Sequence, residues 1–183
     1  KSEAPGALRP LASAYASSDP KSEGALMLAG PVVLREFARF KTDDLSELLR
    51  TALRNPDVFL RAAAADLLGD QPVSRENLDA LQNAAEFAIL NDREQNDAAL
   101  STLEALFKLD KTAALAVMDI AAGSLDHIVR RRVAEMLADD AYKGRELSPI
   151  LKNLDKNHLK RVRPYSGKGT KLGQVLATDA DYR

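Results

Sequence analysis

From Asp43 to Asp140 the apolar residues recur at three- and four-residue intervals, the spacing that lines one face of a helix, and short polar turns break the pattern repeatedly. Leu45, Leu48, Leu49, Ala52 and Leu53 make the first stripe. At Asn55-Pro56 the Asn can cap a new helix and the Pro suits its first position, where a missing N–H costs no hydrogen bond. The pattern then predicts a helix over 57–68 stopped by Gly69, and a third capped by Ser74 that carries Leu78, Leu81, Ala85, Ala88 and Ile89 to about Asn91. A fourth carries Ala99, Leu100, Leu103, Leu106 and Phe107. The fifth runs over 112–122 to Gly123 and the sixth over about 126–137. No segment alternates strictly with β-branched enrichment, so the chain reads as all-α.

The flanks are less regular. Leu8, Leu11 and Tyr15 predict a helix entered at Pro10, and residues 32–40 predict another entered at Pro31. Residues 1–42 therefore read as a degenerate or truncated helical repeat, 43–140 as regular helix pairs, and 141–183 as a basic segment and linker. Periodicity weakens from Lys143, and residues 164–169 have the Pro, Ser and Gly content of a linker.

Repetition at long period organises the middle. An offset of 69 residues brings Asp57 onto Asp126, Leu60-Arg61 onto Val129-Arg130, Ala65 onto Ala134, Leu68 onto Leu137 and Asp70 onto Asp139. Ala99 and Leu103 fall 35 residues after Ala64 and Leu68 and 34 before Val133 and Leu137. A helix pair of that length cannot bury both of its apolar faces alone, so successive units are expected to stack on one continuous core. Ala-rich faces permit the close helix approach such stacking needs.

These residues resemble a HEAT repeat. Residues 55–69 look like its second half, with a turn Asp, an apolar-Arg pair, then Ala and Leu; residues 125–137 repeat the pattern. The middle unit departs at Gln95-Asn96, where the Arg is missing. The resemblance implies an α-α superhelix, a HEAT/armadillo-like solenoid of three to four helix pairs. It also implies that Arg61 and Arg130 ladder to the turn aspartates Asp57 and Asp126 or to their neighbours in the next unit. With residues 170–173 and 178–182 the arrangement resembles the region upstream of the catalytic domain in bacterial fusions of HEAT repeats with a cyclophilin-type prolyl isomerase. The resemblance then implies a scaffold that isomerises nothing itself, with a protein, an unfolded client or a downstream catalytic domain of the same chain as partner. It further implies a bacterial origin, with the cell envelope or periplasm as compartment.

Charge and candidate chemistry change this picture little. The formal net charge is −1, but residues 143–171 hold nine basic residues against two acidic ones. A basic tail without interleaved aromatics is a poor reader of bases, and the stacked helices are net acidic, so nucleic-acid binding is not expected. Cysteine is absent, which removes disulfides and thiolate metal sites and leaves compartment open. No apolar run approaches membrane-spanning length, and Lys1-Ser2-Glu3 shows neither Met nor a signal pattern, so the natural N-terminus is expected to lie upstream. His127 and His158 have no second ligand at helical spacing. Asp155-Lys156-Asn157 starts like a calcium loop but lacks its later oxygen ligand and Gly, and residues 167–170 lack the phosphate-loop pattern. Asp43-Asp44 and Asp139-Asp140 suit helix ends. No catalytic, metal or cofactor residues are expected. Arg131 and Arg132 are the candidate partner-binding face.

Overall fold

The computed structural model describes residues 4–17, 29–92 and 95–154, and the described residues hold nine α-helices, one 3-10 turn and no strand. In chain order these are α1 (Ala4–Ser17), α2 (Gly30–Ala38), α3 (Leu45–Ala52), α4 (Val58–Leu68), α5 (Arg75–Asn91), α6 (Asp97–Leu109), α7 (Lys111–Ala122), α8 (His127–Met136) and α9 (Ser148–Asn153), with the 3-10 turn Asp140–Tyr142 before α9. The odd-numbered helices touch one another in sequence, the even-numbered helices do the same, and α2, α4, α6 and α8 each pack on the odd helix before them. The most extensive contacts are those of α6 with α4 and with α5.

Local chemistry accounts for most boundaries. Ser74 Oγ accepts from Asn77 N at 3.2 Å, and Asp110 Oδ1 accepts from Thr112 N and Ala113 N, so each satisfies donors that the first turn of a helix leaves open. Asp110 is also the C-terminal flank of α6, so one residue ends α6 and caps α7. At the α3–α4 turn the cap is Asp57 rather than Asn55. Asn55 instead accepts Asp57 N on its side-chain oxygen at 2.8 Å and sends its amide to the Tyr15 and Ala16 carbonyls at 3.1 and 3.2 Å, closing the end of α1. Pro31 stands in the first turn of α2, but Pro10 lies inside α1 rather than at its entrance. There its ring removes a helical N–H donor, a break that exposed Gly6 lets water repair.

The core is a continuous seam of Leu and Ala. Leu34, Phe37, Leu49, Leu68, Leu81, Leu103, Leu106, Met118 and Leu137 are fully buried, and Ala62 to Ala65 are buried in succession, so most of α4 is covered and only the face of Phe59 and Asp66 is exposed. That is what a helix flanked by both rows requires. Small residues set the spacing: a Cβ on Gly69 would lie 3.0 Å from both Cα and Cβ of Ala105 in α6. The packed body also continues past residue 140. Tyr142, Leu147, Ile150, Leu151 and Leu154 are buried although the helical period fades there, because α9 is short and the residues before it pack as irregular chain.

Candidate functional site

The turns inside the helix pairs α3–α4, α5–α6 and α7–α8 share one edge of the molecule, and side chains join them. In the first, Arg61 Nη1 donates to the carbonyls of Asn55 and Pro56 at 2.7 and 2.9 Å, while Asp57 Oδ1 accepts from Phe59 N at 2.8 Å. The third turn is built the same way: Ser124 Oγ accepts Asp126 N at 3.1 Å, Asp126 Oδ1 accepts Ile128 N at 2.7 Å, and Arg130 Nη1 donates to the Ser124 carbonyl. Asp57 and Asp126 adopt nearly the same extended backbone, φ −71°, ψ 117° and φ −76°, ψ 121°. Arg61 and Arg130 are both buried. A buried guanidinium needs its N–H groups occupied, and the turn carbonyls take Nη1 of each arginine, although Arg61 Nε is buried without a hydrogen-bond partner.

Each turn is then tied to the next. Arg61 Nη2 donates to Asp92 Oδ2 at 2.5 Å, and its guanidinium carbon lies 5.4 Å from the centre of the Phe87 ring. Asn96 Nδ2 donates to Asp126 Oδ2 at 2.9 Å. The two rungs span 31 and 30 residues. Arg61 therefore meets the aspartate of the following turn, while Asp57 spends its carboxylate on its own helix. Asp92 has no place in the sequence expectations, and Asn96 enters them only where the middle unit lacks the repeat's Arg, although the spacing carries a signal for both. Asp92 stands 35 residues after Asp57 and 34 before Asp126, and Asn96 stands at the same offsets from Arg61 and Arg130.

A cleft of about 210 Å³ opens between the second and third turns. Ile89, Leu90, Ile120 and Leu125 give it apolar walls, and Asp92, Asn96 and Asp126 line it with polar groups. Among the described residues no Lys or Arg lines it. Around it the edge is unusually apolar for a surface: of the eight large apolar side chains left exposed among the described residues, Phe59, Phe87, Leu90, Leu125 and Ile128 all flank these turns.

Arg131 and Arg132 lie on α8, one turn further along, and both meet acids. Arg131 Nε donates to Glu135 at 2.8 Å; Arg132 bonds Glu104 of α6 and, at 3.2 Å, Glu135. The hydrogen bond it donates to Glu104 is the main reason the Arg132 guanidinium holds its proton more tightly than usual. The opposite edge carries a more open hollow of about 720 Å³ lined by Arg35, Arg39, Lys41, Asp43 and Asp70, among others. Lys41 there has φ 48°. Asp44 beside it is bonded by Arg9, with Nε at 2.6 Å, which holds its carboxyl below the usual carboxylate range. Tyr142 closes the same edge nearer α9: its hydroxyl donates to the Lys111 carbonyl at 2.8 Å, and burial pushes the phenol up to about 12.

Among the described residues no group of three or more His, Cys, Asp or Glu could hold a metal ion, and no helix is long and apolar enough to cross a membrane. His127 opens α8, and the acid pairs Asp43-Asp44 and Asp139-Asp140 flank helix or turn starts. His158, the calcium-like stretch from Asp155, the linker at 164–169, the cationic residues Lys156, Lys160, Arg161 and Arg163, and residues 170–173 and 178–182 lie outside the described residues. Compared with protein-family models, curated proteins and solved structures, the chain matches none.

Proposed function

We propose that this chain is a HEAT-like α-α superhelix that acts by binding polypeptide and carries no catalytic chemistry of its own. The observation that carries this reading is the pair of rungs from turn to turn, Arg61 to Asp92 and Asn96 to Asp126, at nearly equal sequence spacing. Such a ladder suits stacked repeats, in which each unit contacts its neighbours and a long edge and face are left for a partner. Within a longer protein of the cyclophilin-fusion kind, the stack would position or recruit clients for an isomerase domain.

The test pairs a binding measurement with an activity measurement. A permanently unfolded probe, reduced and carboxymethylated α-lactalbumin, is titrated against the chain by calorimetry, and the chain is assayed for isomerisation of a proline peptide. The expected outcome is saturable binding with no rate enhancement. Absence of binding, or catalysis by this chain, would overturn the reading.

A further inference from the structure

The cleft on the turn edge has a chemistry of its own, and it deepens the interaction reading on which it rests. Leu90 and Leu125 line its mouth and are 56% and 84% exposed. Below them the walls are aliphatic, and the polar lining ends in carboxylates. Asp92 is balanced by Arg61. Asp126 caps α8 and accepts from the neutral Asn96 amide, so among the described residues its charge is met by hydrogen-bond donors and not by a cation in ion-pair contact. An apolar cleft with one such carboxylate and no Lys or Arg among its described lining residues favours a cation with an aliphatic stem. Phe59, Phe87 and Ile128 continue the apolar surface on both sides, so the occupant is longer than one side chain.

We infer that the turn edge binds a partner polypeptide segment in which apolar and basic side chains are interleaved, with a Lys or Arg stem seated in the cleft and its charge directed at Asp126. Apolar residues of the segment cover Leu90, Leu125 and their flanking aromatics, and the carboxylate discriminates against acidic segments by repulsion. Because Asp126 lies near the surface, the charge-dependent part of the binding weakens with added salt.

The experiment uses fluorescein-labelled peptides with alternating Leu and Lys, alternating Leu and Glu, and alternating Ser and Lys, titrated by anisotropy against the chain and against a Leu90→Ser, Leu125→Ser double variant. Circular dichroism and the urea midpoint check that the variant is folded. The Leu-Lys peptide is expected to bind best, with each of the other peptides, and the double variant, about ten-fold weaker. Equal affinity for the Leu-Glu peptide, or unchanged affinity in the folded variant, overturns the inference. So does a chain that is dimeric by sedimentation and becomes monomeric in the variant, because the edge then belongs to a second copy. If the chain binds the unfolded probe but not the Leu-Lys peptide, the inference fails while the interaction module stands; binding of neither removes both.

Discussion

The two rungs of the turn edge hold the same register with different chemistry. Arg61 reaches Asp92 as a buried cation that also satisfies two carbonyls of its own turn and lies against Phe87, whereas Asn96 reaches Asp126 through one neutral amide. Burial separates them. The difference lies in the donors: the Arg61 side chain is 4% exposed beside the extensive contact of α4 with α6, so water reaches its guanidinium poorly, whereas Asn96, like both acceptors Asp92 and Asp126, lines the open cleft. Arg61 lies inside α4 and Asn96 just before α6, and the stronger donor is the one that is more deeply buried.

Breaking the first rung should therefore cost most. Arg61→Met leaves Asp92 without its cation and frees two turn carbonyls, and a loss of roughly 3–5 kcal/mol is expected from urea unfolding. The next effect is on the other edge. Tyr142 is 1% exposed and bonds Lys111 across 31 residues, the same span as the Arg61 rung. Its folded-state value near 12 lies above the ordinary 10. The protonated phenol is the form that folding favours, so this contribution is complete below pH 10 and is lost as pH rises from there through about 12. Roughly 2–3 kcal/mol should disappear over that window and the loss should be absent in Tyr142→Phe, measured by denaturant unfolding at each pH.

Smaller perturbations sharpen the comparison further. Gly69→Ala drives a methyl into the Ala105 backbone and is expected to cost about 1–3 kcal/mol, read as a lower thermal midpoint, because α4 and α6 cannot separate there without moving the first rung. Asn96→Ala removes the second rung at a site water reaches, so a loss of only about 1 kcal/mol is expected. An Asn96→Ala loss as large as that of Arg61→Met would erase the distinction drawn between a dry and a wet rung.

Much of this architecture is legible in the sequence, and the exceptions have physical causes. The stripes at 45–53, 57–68, 78–89, 99–107 and 112–122 report burial directly, because one helix face meets the core along its whole length. Pro10 lies inside α1 because the helical carbonyl its ring leaves open is that of exposed Gly6. α9 escaped because six residues give too few turns for a period to show, while Tyr142 packs from a 3-10 turn and Leu147 from irregular chain. On the turn edge, Arg61 and Arg130 stand out as charges in apolar helices. Asn96 does not, since a polar residue in a turn is ordinary, and only its offset from the two arginines marks it. The cleft was not legible at all. Leu90 and Leu125 belong to different helix pairs, and single exposed leucines carry no signal until packing brings them together.

The ladder that ties one helix pair to the next is tested most directly by a double-mutant cycle on Arg61 and Asp92. Arg61→Met, Asp92→Asn and the combined variant are unfolded in urea together with the unaltered chain. Direct pairing across the turns predicts that the double variant loses less than the sum of the single losses, with a coupling of about 2 kcal/mol. Losses that add to within about 0.5 kcal/mol would mean that the two residues act independently, and the ladder would not hold the units together.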